Sequence, residues 1–340
     1  MERVVVTKNG PPSVLQVVTT FSKPVPGPDE VLIKTAFAGV NFADCLQRMG
    51  IYRPKPQPPF TPGYELSGTV LAVGSNVQNH KEGDLVIGVT PNGAQASYVC
   101  VKSNRCFPIP KGISLKKAAA IPVTYLTAWH MLVFLGNIKN SDSILIHGVS
   151  GGVGTAATQI AKTHGVKKLY GTASKRKQKF VEENGVTFID RKNEDFVSFI
   201  QKTTQNLGID HILDPIGGSN LKKSLSVLSH GGKLYTFGLS EAAPHANSGL
   251  LKAFRALRRM PKINPTIMMS RNQGIFGVHI GTFARENILN MHMQEIIQRV
   301  ISGDLDPIID STFSFDQISE AHYRLHSGLN IGKILLCPND

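Results

Sequence analysis

The sequence predicts an α/β protein in two parts: a mainly β domain formed by residues 1–124 and 282–340, and a doubly wound parallel sheet over residues 125–281. Three observations predict it. Residues 1–124 read as β-rich runs punctuated by proline and glycine. From about residue 125 the pattern changes to alternating strands and helices. Within that alternation, a short apolar run leads into a glycine cluster and then into helical periodicity.

In chain order, Val31–Ala38, Leu66–Val73, Asp84–Val89 and Ala96–Val101 are the expected strands of the first part. Pro24, Pro26, Gly27, Pro28 and the run from Pro54 to Pro62 separate them. In the second part the expected strands are Ile144–His147, Lys168–Gly171, His211–Ile216, Lys233–Gly238 and Ile275–Ile280, at intervals that leave room for helices. Beyond residue 282, Ile288–Ser302 and Ile318–Leu325 read as helices.

The glycine cluster holds Gly148, Gly151, Gly152 and Gly154. Val153, Ala156, Ala157, Ile160 and Ala161 then recur at helical spacing, and Gly165 can end the helix. A strand, a glycine turn and a helix start converge backbone N–H groups and a positive helix end on one point, which suits a pyrophosphate. A plain tight turn in an α/β sheet would use the same glycines, so the residues after the second strand decide the reading. Sites that select NAD place an acid there for the ribose 2′-hydroxyl. Here the strand runs into Ser174, Lys175, Arg176 and Lys177 with no acid. Such a cluster favours a 2′-phosphate, hence NADP(H), over the free hydroxyl of NADH.

Composition narrows the classes. No segment approaches the roughly 18 continuous apolar residues of a membrane span, and the start, Met-Glu-Arg-Val-Val-Val, lacks the apolar core of a signal peptide. Cys45, Cys100, Cys106 and Cys337 show neither paired metal spacing nor a disulfide framework, so a reducing cytoplasm is the expected setting. The net charge is +13 without any nucleic-acid-binding motif. That charge fits an anionic cofactor, an acidic membrane surface, or a solvated basic face. Part of it lies on Leu250–Lys262, where Leu250, Leu251, Phe254 and Leu257 share one helical face and Lys252, Arg255, Arg258 and Arg259 surround the other. Such a helix can rest on anionic lipid or serve as a solvated lid. His322 and His326 stand at i, i+4 with no third ligand near in sequence, so a surface or packing pair is expected, not a metal site.

Several motifs in fixed order carry a family resemblance that covers nearly the whole chain. They are Ala38–Tyr52 (Ala-Gly-Val-Asn-Phe-Ala-Asp-Cys-Leu-Gln-Arg-Met-Gly-Ile-Tyr), Pro59–Glu65, Leu126–Trp129, His147–Gly154, Leu213–Gly218 and Asn330–Lys333. The chain resembles the medium-chain dehydrogenase/reductase superfamily, a GroES-like catalytic domain joined to a Rossmann domain. Within it the chain is similar to the zinc-free quinone oxidoreductase branch and the vesicle amine transport protein group. It departs from the zinc members: Gly63-Tyr64-Glu65 stands where they carry Gly-His-Glu, Asn41 lies near their cysteine ligand, and their four-cysteine lobe is missing. Neutral Asn and Tyr cannot replace thiolate and imidazole on zinc.

The resemblance implies an NADPH-dependent reductase of quinones or α,β-unsaturated carbonyl compounds, acceptors that take hydride without a Lewis acid. It implies Asn41, Asp44 and Tyr52 near the nicotinamide: Asn41 as an amide donor, Tyr52 as a hydroxyl or proton donor, and Asp44 orienting one of them. It implies Thr127 at the nicotinamide-side ribose or amide, and Ser150, Gly151, Gly152 and Val153 along the pyrophosphate. Ser174 and Lys177 would hold the 2′-phosphate, with Arg191 near the adenine. Phe237, Gly238 and Leu239 would end a strand at the ligand edge, and Phe276, Gly277 and Val278 would meet the carboxamide. Asn330 and Lys333 would close on the cofactor from the return segment. A homodimer paired through Ile275–Ile280 is implied too. The alternative from another class is a lipid- or membrane-associated binding protein with little turnover, which Leu250–Lys262 favours.

Overall fold

The computed structural model describes residues 1–52, 56–243, 250–283 and 285–339, with 250–253 as backbone only. Two compact units result. One contains Met1–Thr124 and Arg285–Asp340; the other contains Tyr125–Pro244 and Ser248–Ala284.

The first unit opens with β1 (Glu2–Val6) and β2 (Leu15–Thr19), an antiparallel pair. Then come β3 (Glu30–Val40), α1 (Phe42–Arg48), β4 (Glu65–Val73), β5 (Leu85–Val89), β6 (Tyr98–Lys102), β7 (Cys106–Pro108) and α2 (Leu115–Ala119). Helix α3 (Pro122–Trp129) leads into the second unit. There lie β8 (Ser143–His147), α4 (Gly152–Thr163), β9 (Lys168–Ala173), α5 (Gln178–Glu183), β10 (Thr187–Asp190), α6 (Phe196–Thr203), β11 (Ile209–Asp214), α7 (Gly218–Ser226), β12 (Leu228–Thr236), α8 (Leu250–Arg258), α9 (Pro265–Arg271) and β13 (Gly274–Gly277). The return to the first unit supplies α10 (Glu286–Ile301), β14 (Ile309–Ser314), α11 (Ile318–His326) and β15 (Lys333–Cys337).

In the first unit the main sheet has the order β14-β15-β3-β4-β5-β7, with β6 pairing to β3. Its core is aliphatic: Val31, Ile33, Leu66, Val70, Val86 and Val101 pack on one side. Val4, Val40, Phe315, Ile318, Ile334 and Leu336 form a second cluster. The return segment thus completes the N-terminal sheet, since β15 runs antiparallel to β3 with Leu335 opposite Gly39.

The second unit is a parallel sheet of order β10-β9-β8-β11-β12-β13. Its central strand β8 is buried along its whole length, which explains the unbroken Ile144-Leu145-Ile146 run: helices cover both faces of such a strand. Helix α4 presents Ala156, Ala157, Ile160 and Ala161 inward, all fully buried. It ends with Gly165 at φ 77° while the Val166 N–H returns to Ala161 O at 3.1 Å, a left-handed helix stop.

Several boundaries differ from expectation. β9 continues two residues beyond Gly171 to Ala173. β11 stops at Asp214, because Asp214 Oδ1 accepts the N–H groups of Ile216 and Gly217 and turns the chain. β12 ends at Thr236, and β13 at Gly277, before a short 3₁₀ turn over Ile280–Thr282. The strands β1, β2, β10, β14 and β15 went unread because each is short or lacks alternation.

Candidate functional site

Since every strand of the second unit's sheet is parallel, the segments following β8, β9, β11, β12 and β13 leave one edge. Ligands of open α/β sheets bind outside that edge. After β8 the chain turns through Gly148 at φ 67°, a conformation that residues with a Cβ rarely adopt. The Gly151 N–H closes the turn on Gly148 O at 2.9 Å, and α4 starts at Gly152. At Gly154 a Cβ would lie 2.5 Å from Val149 O, so this glycine lets the helix pack against its own turn. Ser150 is buried, while Gly151, Gly152 and Val153 are half-buried at the helix start.

After β9 comes Ser174, whose Oγ is buried and has no hydrogen-bond partner. Lys175 and Arg176 are exposed beside it, and Lys177 is buried, its N–H bonded to Ser174 O at 2.9 Å. Arg191 is brought to the same place by its N–H on Ala173 O, 3.0 Å. The Phe237 N–H bonds Asp214 O at 3.1 Å and the Val278 N–H bonds Thr236 O at 2.9 Å, so Phe237–Leu239 and Phe276–Val278 lie side by side on this edge. Thr127 is buried on α3 in the same unit.

A polar chain that sequence reasoning assigned no role ties these strand ends together. His147 Nε2 lies 3.1 Å from Ser224 Oγ, and Ser224 Oγ donates to Asp214 Oδ2 at 2.9 Å. On its other side His147 Nδ1 lies 3.1 Å from Thr172 Oγ1. Burial holds the imidazole below its usual pKa. The motifs His147–Gly154 and Leu213–Gly218 contain its ends; the bond between them arises only in three dimensions.

The first unit holds its own buried cluster. Asn41 caps α1, and its N–H donates to Asp44 Oδ2 at 2.8 Å, as in a capping box. Asp44 Oδ1 accepts the Gly63 N–H at 3.2 Å, and Gln95 Nε2 reaches Asp44 Oδ2 at 3.5 Å. Asn41 Nδ2 donates to Glu65 Oε1 at 3.0 Å, while Lys333 Nζ donates to Asn41 Oδ1 at 2.5 Å and pairs with Glu65. Glu65 Oε2 accepts the Val123 N–H at 2.7 Å. Gly39 makes room, since a Cβ there would lie 2.2 Å from Glu65 Oε1.

Burial pushes the Asp44 carboxyl up to about 7, against the pull of the Asn41 N–H and Lys333. Tyr52 is half-buried; burial raises its phenol to about 12 against the effect of a hydrogen bond with Tyr64, and burial raises Tyr64 as well. Asn330 Nδ2 bonds Gly332 O at 2.7 Å within the return segment. The sequence reading thus divides by unit. Thr127, Ser150–Val153, Ser174, Lys177, Arg191, Phe237–Leu239 and Phe276–Val278 belong to the second; Asn41, Asp44, Tyr52, Asn330 and Lys333 belong to the first. Lys333, read as a cofactor contact, has its ammonium on Glu65 and Asn41. His322 is fully buried with Nδ1 3.5 Å from Cys45 Sγ, a packing position. Among the described residues, no three His, Cys, Asp or Glu side chains gather as a metal-holding group.

A β-rich unit completed by its C-terminal return, beside a doubly wound parallel sheet with a glycine turn, defines a dehydrogenase-type architecture. Comparison with known proteins agrees. Residues 27–111 match the alcohol dehydrogenase GroES-like domain model, and residues 185–336 match a model described as zinc-binding dehydrogenase. The zebrafish synaptic vesicle membrane protein VAT-1 homolog is 35% identical over 92% of this chain, which spans 65% of that protein's length. Human quinone oxidoreductase is 32% identical, with 99% of this chain and 97% of that protein aligned. The crystal structure of Escherichia coli quinone oxidoreductase complexed with NADPH superposes with a TM-score of 0.87 at 28% identity, covering 99% of this chain and all of that one. The chain belongs to the medium-chain dehydrogenase/reductase superfamily, in its quinone oxidoreductase branch.

Proposed function

We propose that the chain is an NADPH-dependent reductase that passes hydride to quinones or α,β-unsaturated carbonyl compounds without a metal. The observation that carries the cofactor choice is Ser174: a buried hydroxyl with no partner, followed by three cations, where NAD-selective sites place an acid. An unsatisfied buried hydroxyl costs about 1–3 kcal/mol, and a phosphate oxygen would satisfy it. The N–H groups at the start of α4, from Gly152, suit the pyrophosphate. Ser174, Lys177 and Arg191 would hold the 2′-phosphate. Thr127, Phe237–Leu239 and Phe276–Val278 would hold the nicotinamide end.

When bound, NADPH supplies the hydride. The chain's own residues then need to orient the acceptor and hydrogen-bond its oxygen as charge arrives there. Tyr52, its phenol held above the ordinary range, keeps its proton at neutral pH and can donate it. Asn41 has given one amide hydrogen to Glu65 and retains the other. Asp44 anchors the Asn41 and Gly63 backbones and so positions this cluster. Metal independence is supported by Tyr64 and Asn41 at the places of zinc ligands, and by the Lys333 ammonium already balancing Glu65. A homodimer paired through the edge strand β13 is part of the same reading, as is work in the reducing cytoplasm.

Calorimetric titration with NADPH and NADH tests the choice of cofactor. NADPH should bind at least about tenfold tighter, the worth of one or two charge-assisted bonds; equal affinity would refute the reading. NADPH oxidation with a quinone and enone panel tests the reaction, and metal analysis should find zinc far below one per chain.

A second reading, a lipid-associated protein with little turnover, is favoured by one feature. Between residues 242 and 285 the sequence has no Asp or Glu and carries Lys252, Arg255, Arg258, Arg259, Lys262, Arg271 and Arg285. On α8, Phe254 and Leu257 are 58% and 52% exposed among these cations. Leu250, Leu251 and Lys252, also counted on this helix, lie outside the described side chains. Among the described residues no helix is long and apolar enough to cross a membrane, so contact would be peripheral. Co-sedimentation with anionic but not neutral vesicles, without quinone-dependent NADPH oxidation, would favour this reading.

A further inference from the structure

The second unit contains a cavity of about 210 Å³ that none of the cofactor segments uses up. One wall is His130. The opposite wall is the segment leaving β13: Val278, His279 and Ile280, with Thr282 and Phe283 at the rim. Gly277, the last residue of β13, also borders it, so the cavity lies at the sheet's ligand edge.

The local sequence explains the shape. Helix α3 carries Thr127, and His130 follows three residues later on the same face. At His130 the helix widens into a π-helical turn that runs to Leu135, a distortion that recurs at functional sites. The His130 ring is held between two phenylalanines: stacked with Phe134 at 5.0 Å and edge-on to Phe283 at 4.7 Å. His279 Nδ1 lies 3.1 Å from Thr282 Oγ1, which fixes the second imidazole. The lining therefore combines an aromatic and aliphatic body with two imidazoles and a hydroxyl.

We propose that this cavity is the acceptor-selecting subsite of the reductase, and that His130 is its specificity-determining residue. It would take a single six-membered ring carrying a carbonyl, as in a benzoquinone or a cyclic enone. Size sets the class. A cavity of about 150 Å³ accepts benzene, so about 210 Å³ accommodates one ring with its oxygens and excludes most of a fused polycycle. Chemistry sets the orientation: apolar walls receive the ring faces, and imidazole edges meet a carbonyl oxygen. Position sets the function, because Thr127 and Gly277–Val278, expected at the nicotinamide, border the same space. The inference rests on the NADPH-reductase reading and goes further by naming the acceptor class.

The test separates the two. In steady-state NADPH oxidation, wild type should show a higher kcat/KM for p-benzoquinone than for 9,10-phenanthrenequinone. His130→Leu should raise the benzoquinone KM about tenfold, the effect of one lost bond in a closed pocket, and leave NADPH affinity by calorimetry within about twofold. His130→Asn, which keeps a donor, should recover part of the loss. Thr282→Phe, a rim substitution that fills the space, should weaken benzoquinone in the same way even if His130 variants fold poorly. An unchanged KM in both His130→Leu and Thr282→Phe would overturn the proposal. So would an equal loss of NADPH affinity, which would make the cavity the cofactor's own. Should wild type bind NADPH yet reduce nothing, the reductase reading fails separately. Quenching of Trp129, the only tryptophan and the neighbour of His130, would then report ring binding directly. Saturable quenching by benzoquinone that Thr282→Phe abolishes would sustain the subsite, and its absence would end it.

Discussion

The Lys333 ammonium donates to Asn41 Oδ1 at 2.5 Å, across 292 positions of sequence. The same ammonium pairs with Glu65, and Glu65 receives the other end of the Asn41 amide. Three buried side chains thus fix one another, and the amide cannot rotate without breaking two bonds. A lone buried carboxylate at Glu65 would be costly; the ammonium compensates it and holds the amide in one orientation.

Lys333→Met should therefore destabilise the protein by about 3–5 kcal/mol, because it strands the Glu65 charge in the core. The double variant Lys333→Met with Glu65→Gln should recover part of that loss. Urea denaturation of the two single variants and the double one measures the coupling. Independent, additive effects would show that the pair is not the unit described.

Ser174→Asp should reverse cofactor choice. A carboxylate beside Lys175, Arg176 and Lys177 would repel a 2′-phosphate and accept from a 2′-hydroxyl. NADPH affinity should fall by at least about tenfold, equivalent to about 1.4 kcal/mol, with NADH affinity unchanged or better. Calorimetry with both nucleotides reads it directly.

Tyr52→Phe should lower turnover of enones and leave NADPH binding intact, since the change removes a hydroxyl and little volume. The expected loss is about 10²-fold, the lower range for a positioned proton donor. Stopped-flow hydride transfer alongside NADPH titration separates the two quantities. Unchanged turnover would remove Tyr52 from the reaction.

His322 should make the protein acid-sensitive. Its folded pKa is lowered from 6.5 to about 3, with burial as the main cause and the Arg48 charge next. A base with a depressed folded pKa takes up its proton in the unfolded chain first. The stability this gives is full above pH 6.5 and is lost as pH falls toward 3. The slope is about 1.4 kcal/mol per pH unit for one proton. In His322→Gln the difference in stability between pH 7 and pH 4.5 should shrink, as guanidinium melts at the two values would show.

Much of this was legible beforehand where function sits in local sequence. Gly148–Gly154 and the Ser174–Lys177 cluster each lie within one turn, so spacing alone showed them, and the strand–helix rhythm placed them on one kind of sheet. Short strands were less legible. Thr187–Asp190 is four residues long, too short for a period to appear, yet it forms an edge of the parallel sheet. Ile275–Ile280 was read too long, since nothing in an apolar run marks where pairing stops; the 3₁₀ turn at Ile280 ends it.

What the sequence determined by itself was the fold class and the dinucleotide turn, because hydrophobic period, glycine position and charge are properties of neighbouring residues. Only the tertiary structure decided how distant groups pair: Lys333 with Glu65 and Asn41, His147 with Ser224 and Asp214, His130 with Phe283. Those partnerships depend on strand register and helix packing. Register is set by the burial of whole faces, a sum over the entire core that no short stretch of chain contains.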